Sequence, residues 1–144
     1  MEAQDIIARL GLRPHPEGGW YTETWREPMG DGQRPASSAI HFLLAAGETS
    51  HWHRVDATEI WHHYAGAPIE LSMAQSDGGP VERYVLGAEL AAGERPQIVV
   101  PAGWWQAARS RGAWTLVGCT VAPAFEFAGF ELAEPGWEPG RTRC

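Results

Sequence analysis

Residues 51–66 read HWHRVDATEIWHHYAG and carry three metal-capable side chains close together, His51, His53 and Glu59. On a β-strand, side chains two apart point to the same face, so His51 and His53 offer two imidazoles to one cavity. Glu59, on the next strand, adds an oxygen ligand. A mixed nitrogen and oxygen set suits Fe, Mn, Ni or Zn. The stretch therefore predicts two short strands that carry a candidate metal site.

Short segments rich in aromatic and β-branched residues run through most of the chain, separated by many of its 17 glycines and 11 prolines. This pattern is typical of an all-β sandwich or barrel. Only the first ten or so residues predict a helix, with Ile6, Ile7 and Leu10 at helical spacing and Gly11 at its end. The predicted strands are 19–26, 39–44, 50–54, 59–65, 69–74, 82–85, 97–100, 106–110, 114–121 and 126–132.

Length and composition favour one domain spanning residues 1–144, since this length buries about two thirds of the surface of an unfolded chain. About ten short strands in one domain fit a double-sheet jelly roll. The two cysteines, Cys119 and Cys144, are too few for a disulfide framework and lack Cys-x-x-Cys spacing. The sequence therefore predicts an all-β jelly roll with a short N-terminal helix.

The net charge of −7 disfavours nucleic acid or an anionic membrane as a partner, because both attract basic surfaces. No apolar run approaches the roughly 20 residues that a membrane helix needs. The N-terminus carries Glu2 and Asp5 and lacks the basic, then apolar, then small-residue regions of a signal peptide. This predicts a cytoplasmic location. A small molecule is the expected ligand.

The chain resembles the small cupins grouped as Cupin_5 over nearly its whole length. The first matching block is LRPHPEGGWY at 12–21, followed by Glu23 and Arg26. Further blocks match in order at 38–44, 52–62, 100–106 and 115–132. The resemblance implies a jelly-roll cupin, a homodimer and a polar pocket at the barrel mouth, and it does not imply one particular reaction.

The second cupin motif falls at residues 101–106, PAGWWQ, where the Pro-x-Gly turn is intact. Gln106 stands where metal cupins usually place a third histidine. An amide oxygen can bind a metal or can hydrogen-bond a polar substrate, and both roles stay open. The position two before His53 is often not histidine in the family, so His51 is a feature of this chain.

Strand alternation assigns further side chains to the cavity. If Glu59 faces it, Trp61 and His63 do too, while His62 packs between the sheets or at a dimer contact. Tyr21 and Glu23 share one face of the first long strand. This strand resembles the one that lines the sugar pocket in cupin sugar-nucleotide epimerases.

An alternative for the same strand is a structural role near the surface, in which Glu23 pairs with Arg26. Glu23 thus either lines the pocket or pairs with Arg26. The sequence assigns no role to His15.

Three functions follow. The first is an isomerase or epimerase of a small, polar, sugar-like carbonyl compound. In it, His53 accepts a proton, Glu59 orients His53, and Tyr21 or Gln106 holds the substrate oxygens. The second is an oxygenase or lyase with Fe, Mn, Ni or Zn held by His51, His53, Glu59 and Gln106. The third is a ligand-binding module without catalysis. Because a cupin pocket can host all three, the fold does not choose among them.

Overall fold

A computed structural model describes residues 1–141; Cys144 lies outside this range. The chain begins with helix α1 (Ala3–Leu10), which buries Ile6 and ends at Gly11. Gly11 adopts φ 65°, the left-handed conformation that closes many helices. At the other end, the Asp5 carboxylate accepts the backbone N–H of Glu2. The predicted N-terminal helix is confirmed.

Eleven strands follow within the described residues and form two antiparallel sheets. The larger sheet has the order β1-β2-β3-β10-β5-β8 and the smaller β11-β4-β9-β6-β7. This arrangement confirms the all-β double-sheet prediction. The strands are β1 (Arg13–Pro14), β2 (Trp20–Arg26), β3 (Ser38–Ala45), β4 (Thr49–Val55), β5 (Thr58–Gly66), β6 (Ile69–Ala74), β7 (Val81–Leu86), β8 (Gln97–Val100), β9 (Trp105–Ser110), β10 (Trp114–Ala122) and β11 (Phe130–Leu132).

The last predicted strand, 126–132, is shorter than expected: a 3₁₀ turn over Phe127–Gly129 precedes β11. Upstream of this turn, side chains bind the backbone of Phe125. Its N–H donates to Ser38 Oγ at 2.9 Å and its carbonyl accepts Arg26 Nη2 at 2.5 Å. Within the turn, the N–H of Gly129 donates to the carbonyl of Glu126 at 2.9 Å rather than to a neighbouring strand.

The main core lies between the two sheets and fills one end of the sandwich. It contains Phe42, Trp61, Leu71 and Val117, among other buried residues. Helix α1 packs on the outer face of the larger sheet, where Leu43 is buried against it. Next to this core lies a cavity lined by residues of both sheets. No helix among residues 1–141 is long and apolar enough to cross a membrane.

Candidate functional site

The cavity lined by residues of both sheets has a volume of about 270 Å³. One part of its wall carries four titratable side chains, those of His15, Glu17, His53 and Glu59. Facing residues form an aromatic cap, defined as Phe125, Phe127 and Phe130, whose ring centroids lie 5.0–6.0 Å apart. The remaining lining residues are Arg13, Tyr21, Glu23, Arg26, Ser38, Ile40, Val55, Cys119, Val121 and Glu126.

A β-bulge in β4 decides which of its histidines enters the cavity. Ser50 pairs with Ala108 and His53 with Gln106, so β4 has one more residue than β9 between these pairs. The extra residue reverses the alternation, which puts both Ser50 and His53 inside. His51 instead lies in a separate surface depression, where its Nε2 is 2.8 Å from the carbonyl oxygen of Glu134. The expectation that His51 and His53 share one face is therefore wrong.

The turn before β2 uses this bulge to bring Glu17 into the site. The N–H of His51 donates to the carbonyl of Glu17 at 2.8 Å. Gly18 has φ 108°, and a side chain there would meet the carbonyl oxygen of Thr49 at 2.1 Å, so only glycine allows this approach. The pattern HPEGG contained the signal, since paired glycines beside a carboxylate indicate close backbone packing. Glu17 was not among the predicted site residues.

Ser50, Glu17 and His53 form a buried hydrogen-bonded chain. Ser50 Oγ donates to Glu17 Oε2, and His53 Nε2 lies 2.9 Å from the same oxygen. His53 Nδ1 lies 2.8 Å from the carbonyl oxygen of His51. Because a carbonyl can only accept, Nδ1 carries a proton, and a second proton on Nε2 completes the pairing with the carboxylate. This geometry describes an imidazolium and a carboxylate.

The electrostatics of the pair agree with the geometry. Burial alone lowers the pKa of His53, but the charge and hydrogen bond of Glu17, with the charge of Glu59, raise it to about 9. Burial likewise opposes ionisation of Glu17, yet the charge and hydrogen bond of His53 lower the pKa of Glu17 below its usual value. At neutral pH His53 is therefore a cation with both nitrogens engaged.

Glu59, on β5, is the other buried carboxyl of the cavity. Burial raises the pKa of Glu59 to about 7, despite the opposing charge of His53. Its Oε1 accepts Gln106 Nε2 at 2.8 Å, and Gln106 Oε1 accepts Trp61 Nε1 at 2.8 Å. Glu59 therefore changes protonation near neutral pH, as a general acid–base group requires.

His15 is held as a neutral imidazole. The backbone N–H of Glu17 donates to His15 Nδ1 at 3.1 Å, so Nδ1 is an acceptor and the proton resides on Nε2. Burial lowers the pKa of His15, although the charge of Glu17 opposes this. His15 Nδ1 also lies 3.3 Å from Glu17 Oε1. Because the imidazole is neutral, this close contact is not an ion pair.

Tyr21 and Glu23 both line the cavity, as alternation along β2 predicts. The alternative for Glu23 is also realised, because its Oε1 lies 3.3 Å from Arg26 Nε. The two hypotheses are compatible: the pair is half-exposed at the cavity mouth, where Arg26 also holds the aromatic cap.

Three predicted contact residues lie elsewhere. Trp61 and Gln106 are buried behind Glu59 and do not line the cavity. His63 is near the far end of β5, where its Nε2 is 3.2 Å from the carbonyl oxygen of Ala67. His62 lies on the outer face of the larger sheet, 3.0 Å from Thr120 Oγ1. Alternation correctly groups Glu59 with Trp61, but the cavity is too short to reach beyond Glu59.

The predicted metal ligands do not fit a metal in this arrangement. His51 is outside the cavity, both nitrogens of His53 are engaged, and the oxygen of Gln106 accepts the Trp61 N–H. Among residues 1–141 there is no group of three or more His, Cys, Asp or Glu side chains that could hold a metal ion. Of the four predicted ligands, His53 and Glu59 line the cavity.

The donor arrangement predicts that protein purified without chelator or metal-affinity resin contains well under one transition metal per chain. A His51→Ala variant should have the same metal content, because His51 lies in a different depression. Elemental analysis measures both. About one metal per chain, lost in the variant, would contradict this prediction.

The family model described as Cupin superfamily (DUF985) matches residues 4–133. A protein of known structure from Shewanella oneidensis is 41% identical, with 92% of this chain and 85% of that chain covered and a TM-score of 0.86. A hypothetical protein from Leishmania major is 30% identical, with 95% and 90% covered and a TM-score of 0.86. No curated protein matches the chain significantly.

Oxalate decarboxylase from Bacillus subtilis is similar in fold alone. It is 11% identical, with 83% of this chain and 29% of that chain covered and a TM-score of 0.64. The jelly-roll fold, the match of the family model over residues 4–133 and the two solved relatives agree with one another. The chain belongs to the DUF985 family, Cupin_5, of the cupin superfamily.

Proposed function

We propose that the protein is an acid–base enzyme, an isomerase or epimerase acting on a small, polar, sugar-like carbonyl compound. The observation that carries the proposal is Glu59, a buried carboxyl with a pKa of about 7 that faces the cavity. A group that titrates near the working pH is effective both in removing a proton and in returning it. Such a carboxyl suits proton transfer at the carbon beside a carbonyl.

The geometry exchanges the roles first assigned to His53 and Glu59. Because both ring nitrogens of His53 are bonded within the protein, His53 does not accept the substrate proton. In the proposal, the Glu59 carboxylate removes the proton and later returns it. The imidazolium of His53 supplies positive charge that favours the enolate formed in between.

The remaining cavity groups suit a polyhydroxy ligand. His15 Nε2–H and the Tyr21 hydroxyl offer donors, and Glu23 offers acceptors at the mouth. The aromatic cap offers apolar faces for the C–H side of a sugar-like ring or chain. A site with a few polar groups and an apolar wall is typical of small-ligand pockets.

Solvent deuterium exchange tests the proposal. In D₂O, the protein is incubated with a panel of aldoses, ketoses and small hydroxy ketones, and NMR measures deuterium uptake beside the carbonyl. We expect exchange with at least one compound and a loss of 100-fold or more in Glu59→Gln, since a general base contributes about 10²–10⁴-fold. The matched control, Glu82→Gln, removes an exposed carboxyl that bonds Tyr84 and should exchange like wild type.

Two outcomes would overturn the enzymatic proposal. Equal exchange in Glu59→Gln and wild type would exclude Glu59 as the base. Tight binding of a compound that stays unexchanged would favour the third hypothesis, a ligand-binding module.

A further inference from the structure

Behind Glu59, two buried residues outside the cavity form a directed hydrogen-bond chain. Trp61 Nε1 donates to Gln106 Oε1, and Gln106 Nε2 donates to Glu59 Oε1, each at 2.8 Å. Trp61 is 2% exposed and Gln106 is 1% exposed. Cavity contents therefore do not touch either side chain, and any influence on the reaction passes through Glu59.

The indole determines the orientation of the amide. An amide can turn by 180° to exchange its oxygen and nitrogen, but an indole N–H can only donate. With Trp61 as the partner, Gln106 must present its oxygen to the indole and its NH₂ to Glu59. The indole is itself packed edge-to-face against Phe42, with ring centroids 5.9 Å apart.

Other groups face Glu59 from the neighbouring elements. From β10, the Cys119 thiol contacts the carboxyl, and burial keeps the pKa of this thiol well above its usual value. From β4 and the turn before β2 come the charges of His53 and Glu17. Among these groups, only Gln106 offers an N–H to Glu59 whose direction is fixed by a donor-only partner.

We propose that Trp61 and Gln106 are positioning residues: the indole fixes the amide, and the amide fixes one oxygen of the Glu59 carboxyl and favours its ionised form. This inference rests on the proposed role of Glu59 as the acid–base group. In this inference Gln106, the glutamine of the second cupin motif, holds an acid–base carboxyl instead of binding a metal.

A substrate-free titration tests the inference. The carboxyl carbons of glutamate are labelled with ¹³C, the Glu59 resonance is identified by its loss in Glu59→Gln, and its pKa is measured by NMR. In Gln106→Leu we expect a rise of about one to two pKa units, because a hydrogen bond to the charged form is lost. In Trp61→Phe, where the amide loses its fixed partner, we expect a smaller rise in the same direction.

The matched control is Trp105→Phe. Trp105 also donates its indole N–H to a side-chain oxygen, Asp77 Oδ1, at 2.8 Å, but outside this hydrogen-bond chain. Its loss should leave the Glu59 titration unchanged. Gln106→Glu provides a second test if either main variant fails to fold: it keeps an oxygen for Trp61 but turns a second carboxyl toward Glu59, which should also raise the Glu59 pKa.

An unchanged Glu59 pKa in the folded Gln106 variants would overturn the inference, as would a shift of equal size in Trp105→Phe. The titration uses no substrate, so it is independent of the deuterium-exchange assay. Failure of exchange together with the expected pKa shifts would reject the proposed reaction and leave the positioning chain supported.

Discussion

Glu17→Gln should lower the free energy of unfolding by about 3–5 kcal/mol, because removing one partner of a buried ion pair leaves the other charge without compensation. Both side chains of this pair are less than one tenth exposed. The substitution keeps the shape of Glu17, so the loss reports on charge rather than on packing. Urea denaturation at pH 7, followed by tryptophan fluorescence, measures it.

Asp56→Asn is the matched control. Asp56 also pairs with a cation, Arg34, at 2.7 Å, but its side chain is 49% exposed. Exposed pairs contribute about 0–1 kcal/mol, so this variant should stay within that range of wild type. Equal losses in the two variants would contradict the assignment of Glu17 and His53 as a buried charged pair.

Stability should fall as the pH rises from about 5 to 9. The pKa of Glu59, about 7, and that of His53, about 9, are both raised above the values of the unfolded chain, 4.5 and 6.5. A raised pKa contributes stability that is complete below the unfolded value and is lost as the pH rises through the folded value. His53 alone should account for about 3 kcal/mol between pH 6.5 and 9.

Glu17 acts in the opposite direction. The pKa of Glu17 is lowered, so its contribution is present above 4.5 and is lost as the pH falls below that value. The stability maximum is therefore expected near pH 5. Urea denaturation between pH 4 and 9 measures the profile, and Glu17→Gln should flatten it between pH 6.5 and 9. A wild-type profile that rises from pH 6.5 to 9 would contradict the prediction.

Much of the fold was predictable because it depends on local chemistry. Turns rich in Gly and Pro separate apolar, β-branched segments, and nine of the ten predicted strands agree with the observed ones to within one residue at each end. The exception is 126–132, where the N–H of Gly129 donates to the carbonyl of Glu126 in a 3₁₀ turn and the carbonyl of Gly129 accepts the N–H of Asp56. The second contact joins segments distant in sequence, which no local pattern contains.

The candidate site was predictable in part. Tyr21 and Glu23 follow from strand alternation, and His53 and Glu59 follow from the stretch 51–66; all four line the cavity. The position of Glu17 does not follow from strand alternation, because Glu17 enters the cavity from a turn that packs across β4.

Gln106 shows a different limit. The second motif predicts Gln106 near Glu59, but whether its oxygen or its nitrogen meets that carboxyl depends on the indole of Trp61, 45 residues away in sequence. Such a choice becomes visible only when the partners are in place.

The β4 bulge has a consequence for anyone who would redesign this cavity. Replacing Gln106 with histidine restores the residue of metal-binding cupins at that position, but it does not assemble three imidazoles, because the backbone turns His51 outward. The bulge also provides the N–H that holds the Glu17 turn. Conversion into a metal centre thus requires a change of strand register, and the same change would remove the support of the buried ion pair.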